Sequence, residues 1–320
     1  MKYCVSLLFV SCLSLFFISC QQTKESISPD EQARIDSLAL HVGVMPVMDC
    51  LPIYYAQKTQ IFADAGVDVQ FLEYLSQMDC DTAIERHRVE LAYGDVARTL
   101  LMKTDVRIVM GLDGKLSLVT ARTKRIRQLK HLNERMVGLD RLSASDYWSD
   151  ELMKKAGMEQ AAIYRPQIND LRLRTSMLGE QLLDAALLPE PYATQLVRQG
   201  NRVLYTTNDS APSLACLVVS AETLKDTMRV GQIQRFFNAY NKAVEELNSD
   251  KRDNDVLRTI LCKQYELTEK VVDSLRIPRF PLAHITKSSD TDIAVRWLKT
   301  REKNVKASKL DSLFCNRFIP

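Results

Sequence analysis

Polar side chains come where several predicted strands end, and their types are those that bind small polar molecules. Asp49 lies in the turn after the first predicted strand, and Tyr93, Gly94 and Asp95 end the third. Carboxylates accept hydrogen bonds from N–H groups, and a glycine lets a ligand approach the backbone closely. Open α/β sheets hold their ligands at the carboxyl ends of their strands, so these residues predict a ligand-binding site.

The acidic groups also have structural interpretations. Asp49 and Asp95 each precede a predicted helix and can cap it, and for Asp95 capping and ligand binding are compatible. Glu190 lies between Pro189 and Pro191, which stiffen the turn and remove two amide donors. Its carboxylate is therefore either presented at the rim of a cleft or solvated in a loop, and both interpretations stay open.

Two serines and two tyrosines complete the candidate site. Ser143 and Ser145 precede a predicted helix, so their hydroxyl and amide groups could hold a polar or anionic group at the positive end of that helix. Capping of the same helix explains either serine equally well. Tyr74 and Tyr192 are candidate surfaces for stacking on a ligand, although an aromatic residue at a strand end more often packs.

The residue types that catalysis requires are not arranged for it. The four histidines are scattered, no Gly-x-Ser-x-Gly turn exists, and no Cys-x-x-Cys or His-x-x-x-His spacing suits a metal. No glycine-rich loop is present to hold a phosphorylated cofactor. We therefore expect no enzyme activity, no metal and no cofactor. The net charge of +3 arises from interspersed acidic and basic residues, so nucleic acid is not an expected partner.

The first 20 residues predict the compartment. Residues 1–19 combine a positive start, a short apolar run from Leu7 to Ile18 and a small residue, Ser19, before Cys20. The run is too short to span a bilayer, and its end resembles the lipobox of bacterial lipoproteins, in which the cysteine is acylated. The polar tether of residues 20–37 lacks an acidic run after this cysteine. We expect a signal peptide, a membrane anchor at Cys20 and a body that faces the periplasm.

Two cysteines of the body are candidates for a disulfide, which an oxidising compartment permits. Cys50 and Cys80 follow neighbouring predicted strands at the same edge of a sheet. Their Cα atoms could therefore approach within the bridging limit of about 7 Å. A Cys50–Cys80 bond would stabilise the body by on the order of 3 kcal/mol.

Strand and helix patterns alternate along most of the chain, which predicts sheets covered by helices and two α/β lobes. The first lobe is predicted to comprise residues 38–120 and, after a return crossing, a mainly helical remainder, residues 213–320. The second comprises residues 121–212. We expect the lobes to close by a hinge motion about the crossing segments near Leu118–Arg122 and Pro212–Val219.

An ordered set of segments resembles the SsuA/NMT-like substrate-binding proteins of ABC importers, which are type II periplasmic binding proteins. The segments are Val42–Pro46, Ile61–Val69, Glu90–Val96, Met136–Leu139 with Ser143 and Ser145, and Leu187–Ala193. Gln60 and Leu142 stand where that family usually has glycine. The resemblance implies an α/β type II binding-protein fold in which two lobes enclose a ligand cleft.

The same resemblance implies a function. The chain would be a monomeric, lipid-anchored solute-binding protein that captures a small polar molecule and delivers it to the permease of an ABC importer. Two alternatives stay open. One is an enzyme of cofactor biosynthesis with the same fold, and the other is a lipoprotein that senses a ligand and signals through a partner.

The charges near the predicted cleft bear on the ligand class. Six acidic residues lie in the turns assigned to the cleft: Asp49, Glu73, Asp95, Asp113, Asp146 and Glu190. The nearby cation Arg141 is only one charge against them. Because close like charges cost several kcal/mol in binding, a bare sulfonate or phosphate is disfavoured. We expect a ligand with several N–H donors, such as a cation or an aminopyrimidine, stacked on Tyr74 or Tyr192.

Overall fold

The computed structural model describes residues 38–302 and 312–319. The predicted signal peptide, the tether and the anchor residue Cys20 lie outside this part of the chain. Among the residues described, no helix is long and apolar enough to cross a membrane.

The described residues form two sheets and the helices that cover them. The strands are β1 (Leu40–Val44), β2 (Val69–Glu73), β3 (Leu91–Asp95), β4 (Val106–Gly111), β5 (Leu116–Thr120), β6 (Val137–Gly138), β7 (Ala185–Pro189), β8 (Arg202–Thr206) and β9 (Ala215–Ser220). The α-helices are α1 (Leu51–Lys58), α2 (Ile61–Asp64), α3 (Gln77–Glu85), α4 (Val96–Thr99), α5 (Ala144–Lys155), α6 (Leu171–Gly179), α7 (Tyr192–Arg198), α8 (Thr227–Leu247), α9 (Asn254–Lys263), α10 (Glu269–Val272) and α11 (Ser288–Arg301).

The first sheet has the strand order β2-β1-β3-β9-β4. β1 is parallel to β2 and β3, whereas β9 is antiparallel to β3 and β4. The apolar residues of β1 are buried, and α3 and α8 pack against this strand. Because β1 and β3 are parallel, the turns that follow them meet at one edge of the sheet, and these turns carry Asp49 and Asp95.

The second sheet has the order β6-β7-β5-β8. It contains β5, which the sequence analysis assigned to the first lobe. A first-lobe segment ending at residue 120 would include β5, but β5 pairs antiparallel with β7 and β8. The chain therefore crosses between the sheets at residues 112–115 and returns at residues 207–214. The crossing segment predicted near Leu118–Arg122 therefore lies too far along the chain, because an apolar strand pattern does not specify the sheet that the strand joins.

The long helix α8 follows from its apolar spacing. Ile233, Phe236, Phe237 and Tyr240 recur at the period of one helix face, and all four are buried. The Phe236 ring stacks on Phe62 of α2 with 5.0 Å between centroids. The helix also packs on α1, which confirms its expected place on the first lobe.

Two departures from the family pattern fall at left-handed backbone positions. Gln60 and Leu142 have φ values of 63° and 57°. A Cβ atom costs about 1 kcal/mol in this region, which is why glycine suits such positions. The fold is intact with the bulkier residues, and Leu142 lies just before the serine that begins α5.

The expected disulfide is wrong. Cys50 and Cys80 are both free and fully buried. Cys50 ends a short 3₁₀ turn that leads into α1, and Cys80 lies within α3, so both thiols are part of the apolar core. A buried thiol behaves as a small apolar side chain, and burial raises the pKa of both groups.

Candidate ligand-binding cleft

A cavity of about 70 Å³ lies between the two sheets, and both contribute to its wall. Five of the predicted site residues line it: Asp49, Tyr93, Asp95, Ser143 and Ser145. The first three follow or end strands of the first sheet, and the serines precede α5 beside the second sheet. The structure thus brings together residues that are up to 96 positions apart in the sequence.

Asp95 bridges the lobes with its carboxylate. Its Oδ1 accepts hydrogen bonds from the amides of Ala97 at 2.8 Å and Arg98 at 3.2 Å, so it caps α4. Its Oδ2 accepts from the amide of Ala144 at 2.6 Å, at the beginning of α5. Burial raises the pKa of Asp95 to about 7, although these amides act in the opposite direction. Both carboxylate oxygens are therefore engaged with helix N-termini.

Ser143 and Ser145 bond to their own turn. The Ser143 hydroxyl donates to the carbonyl oxygen of Asp140 at 2.6 Å and accepts from the Ser145 amide at 3.1 Å. The Ser145 hydroxyl donates to the same carbonyl at 3.0 Å and accepts from the Asp140 amide at 2.9 Å. The Ser143 oxygen thus caps α5, and both hydroxyl protons are used in closing the turn after β6.

Asp49 is the other acidic group on the first-lobe wall. Its Oδ1 accepts from the amide of Gly114 in the first crossing segment, at 3.2 Å. Burial is the main cause that raises its pKa to about 7, and repulsion from Asp113 adds to it. The Gly114 amide, the Tyr93 hydroxyl and the Lys115 ammonium act in the opposite direction. A donor supplied by a ligand would stabilise the ionised form of this carboxylate.

Among the polar residues that line the cavity, the sequence analysis missed Gln77, Lys115, Asp140, Asn169 and Arg174. Asp140 and Arg174 belong to the second-lobe wall, while Gln77 and Lys115 come from α3 and the first crossing segment. Asp140 lies two residues after the end of β6, and this position near a strand end is the signal that could have identified it. Arg174 gave no such signal, because a charged residue within a helix usually faces solvent.

The remaining predicted site residues lie outside the cavity lining. Gly94 packs against β9, since a Cβ atom there would come within 2.9 Å of Val218. Tyr74 is partly buried against the core. Glu190 caps α7 by accepting from the Thr194 amide at 3.1 Å. Tyr192 is 2% exposed and lines a separate cavity.

Most of the six acidic residues that the sequence assigned to the cleft also lie outside the cavity lining. Of the six, only Asp49 and Asp95 line the cavity. Asp146 is fully buried, and its carboxylate bonds to Arg301 at 2.8 Å. Asp113 lines a different cavity, near the crossing segments.

The two lobes contact each other around the cavity. The amide of Leu171 donates to the carbonyl of Leu75, and that of Met48 donates to the carbonyl of Glu190, both at 2.9 Å. On another side, the indole N–H of Trp297 in α11 donates to Asp150 of α5 at 2.8 Å. These bonds connect the two lobes on more than one side of the cavity.

No group of three or more metal-ligating side chains occurs within residues 38–302 and 312–319. The carboxylates of Asp49 and Asp95 accept hydrogen bonds from backbone amides, whereas the buried Oδ1 of Asp140 accepts none among the described residues. Their chemistry is that of a polar recognition site.

Comparison with known proteins gives one family match and many structural likenesses. A family model described as NMT1/THI5 like matches residues 48–251. No curated protein sequence matches the chain.

Three solved structures illustrate the fold. The alkanesulfonate-binding protein SsuA from Xanthomonas axonopodis pv. citri, bound to MOPS, has 14% identity and a TM-score of 0.69, covering 84% of this chain and 94% of its own. The periplasmic nitrate-binding protein NrtA from Synechocystis PCC 6803 has 11% identity and a TM-score of 0.74, covering 88% and 87%. The desulfurization enzyme DSZB has 13% identity and a TM-score of 0.60, covering 88% and 97%. These likenesses confirm the predicted fold of two α/β lobes with a cleft between them.

Proposed function

Because this chain belongs to the NMT1/THI5-like family, we propose that it is a lipid-anchored solute-binding protein that captures a small polar molecule between its lobes and delivers it to an ABC importer. The observation that carries this proposal is the cavity whose wall is shared by both lobes. A site built in that way couples ligand binding to lobe closure, since the ligand contacts both walls only when they meet.

The roles of two proteins with similar structures support a binding role. SsuA binds alkanesulfonates and NrtA binds nitrate, and both are binding proteins with this fold. The identity of the solute does not transfer at 11–14% sequence identity. A small polar solute is what the cavity wall of this chain favours.

The decisive experiment identifies the solute that the protein carries. The full chain is purified under native conditions, the protein is unfolded, and the released small molecules are analysed by mass spectrometry. We expect one solute at near-stoichiometric amount, which rebinds the refolded protein and lowers its radius of gyration in X-ray scattering. If no solute is recovered, and if no cell extract fraction stabilises the protein against heat, the binding role is wrong.

The anchor at Cys20 is tested by fractionation. Cys20→Ala removes the thiol that acylation requires, so the protein should move from the membrane to the soluble fraction. Cys12→Ala changes a cysteine within the predicted signal peptide and should leave the protein membrane-bound. A Cys20→Ala protein that stays in the membrane fraction would contradict the lipoprotein assignment.

The enzyme alternative has one observation in its favour, the likeness to the desulfurization enzyme DSZB. It predicts that the recovered solute is chemically altered during incubation with the protein. A solute that is returned unchanged after prolonged incubation, while still binding, excludes this alternative for that solute.

A further inference from the structure

We propose that the cleft selects a small organic cation with N–H donors, of the amidinium or guanidinium kind, and rejects free anions such as nitrate and sulfonates. This inference rests on the proposed binding function and specifies its ligand class. Three observations support it: Asp95 already lies at the N-terminus of α5, Asp49 and Asp140 can accept further hydrogen bonds, and the cavity is small.

The anion position of the cleft is already occupied by the protein. An anion would be stabilised at the beginning of α5, where amide groups and the helix dipole meet. The carboxylate of Asp95 lies there, with 2.6 Å between its Oδ2 and the Ala144 nitrogen. The Ser143 and Ser145 hydroxyls donate to the Asp140 carbonyl. A free anion would have to displace Asp95 and would then lie beside its charge.

Acceptors remain in the wall after the internal hydrogen bonds are made. Asp140 is 5% exposed, and its buried Oδ1 accepts no hydrogen bond among the described residues. Its nearest cationic contact is the Arg98 guanidinium, at 3.9 Å. Asp49 accepts the amide of Gly114 at the long distance of 3.2 Å, and the Tyr93 hydroxyl is its other donor, so a carboxylate with about four acceptor positions still has room for more. A ligand that donates N–H groups would satisfy acceptors that the protein leaves short of partners.

Arg174, Arg98 and Lys115, which lie at or near the cavity, already form hydrogen bonds or ion pairs with protein groups. Arg174 donates to the carbonyls of Ile168 and Leu187, at 2.7 and 3.0 Å. Arg98 pairs with Asp81. Lys115 pairs with Asp209 at 2.6 Å. The two described cations that line the cavity, Arg174 and Lys115, are thus already bonded to protein groups, whereas an incoming cation meets Asp49 and Asp140.

The cavity volume limits the ligand. About 70 Å³ is room for roughly two water molecules, and drug-sized ligands occupy roughly 300–1,000 Å³. Acetamidinium and guanidinium are of a suitable size. Their parallel N–H groups match the two oxygens of a carboxylate, which gives a bidentate, charge-assisted pair.

The protonation of Asp49 gives an independent readout. Its pKa of about 7 means that part of the population is protonated at neutral pH, facing Asp113, Lys115 and the Tyr93 hydroxyl. A bound cation favours the ionised form, so binding near pH 7 should release protons. Calorimetry in two buffers of different ionisation enthalpy measures that release.

The test uses the full chain after its carried solute has been removed. Guanidinium, acetamidinium, nitrate and taurine are titrated into the wild-type protein, Asp49→Asn and Asp68→Asn. Asp68 is an exposed acid just before β2, so its variant makes the same chemical change outside the cleft. We expect the two cations to bind with proton release, Asp49→Asn to weaken them at least tenfold and Asp68→Asn to leave them unchanged.

Other outcomes overturn the inference in distinguishable ways. Binding of nitrate or taurine that exceeds binding of both cations rejects the ligand class while leaving the binding function intact. Failure of all four probes also rejects the class as stated, and the solute recovered by mass spectrometry then decides the binding function separately. If Asp49→Asn and Asp68→Asn weaken cation binding equally, the effect comes from the net charge of the protein, and the proposed site is rejected.

Discussion

Asp95 makes hydrogen bonds to two helices that belong to different lobes. Its Oδ1 caps α4 of the first lobe, and its Oδ2 holds the first amide of α5 in the second. A carboxylate can do this because each of its oxygens accepts independently. One residue therefore acts both as a local cap and as a connection across the cleft.

Asp95→Asn should separate these two roles. Asparagine is as good a cap as aspartate, but its amide nitrogen would face the N–H of Ala144, and two donors repel. We expect a loss of about 2 kcal/mol in the free energy of unfolding, measured by urea denaturation. Asp226→Asn is the matched control, because Asp226 caps α8 by bonds to the Met228 and Arg229 amides alone. Equal effects of the two substitutions would contradict the cross-lobe role.

Asp49 should make stability depend on pH. Its raised pKa of about 7 means that the folded protein binds a proton that the unfolded chain has released, between about pH 4 and pH 7. The stability of the unliganded protein is therefore highest below the unfolded pKa and is lost as the pH rises through about 7. Asp49→Asn removes this loss, so it should gain on the order of 4 kcal/mol relative to wild type from pH 4 to pH 8. The measurement is the unfolding free energy of both proteins as a function of pH. If the two curves are parallel, Asp49 is not the group responsible for the pH dependence.

At the scale of elements, α11 joins α5 to the first lobe. The helix packs on α4, and its residues Trp297 and Arg301 bond to Asp150 and Asp146 of α5. Arg165 also approaches both of these acids, at 3.0 and 3.7 Å. The buried acids of α5 are thus neutralised partly by a helix that is more than 130 residues later in the chain.

Arg301→Gln should weaken this connection. Asp146 is fully buried, and loss of one guanidinium leaves its charge with less compensation. We expect a loss of about 2 kcal/mol in unfolding free energy and faster amide exchange in α5. Lys299→Gln alters an exposed cation on the same helix and should stay within about 0.5 kcal/mol of wild type. Unchanged exchange in α5 after Arg301→Gln would show that α11 does not hold it.

At the scale of the whole molecule, two crossing segments connect the sheets. Gly114 lies in the first, at residues 112–115, with a φ of 57°. A Cβ atom at this position would come within 2.9 Å of the Ala215 Cβ, directly after the second crossing. The two crossings therefore lie against each other through a glycine, which also donates its amide to Asp49.

Gly114→Ala should destabilise the protein more than backbone strain alone explains. Gly157→Ala supplies the comparison, because Gly157 has a φ of 67° and open space around its Cβ position. We expect about 1 kcal/mol of loss at Gly157 and at least twice that at Gly114, measured by thermal and urea unfolding. The solute recovered from the protein should also bind more weakly to Gly114→Ala. Equal losses at the two glycines would show that close contact between the crossings does not matter.

The sequence by itself determined the elements and much of the fold. The spacing of Phe236, Phe237 and Tyr240 predicts the buried face of α8, and Ser76, a residue type that favours helix N-caps, caps α3. These features depend on neighbours within one or two turns of the chain, so local periodicity and hydrogen-bonding capacity suffice. The position of Asp95 at a strand end likewise places it at the cleft.

Only the tertiary structure decided which distant groups meet. Sheet pairing places β5 in the second sheet, and Cys50 and Cys80 are packed in the core without a bond. Asp95 reaches an amide 49 residues away, and Arg174 is buried on carbonyl oxygens of its own lobe. An apolar period shows that a face is buried without naming its partner, and a charged residue in a helix pattern does not reveal whether it faces water. Those outcomes depend on how the two lobes pack, which no local pattern encodes.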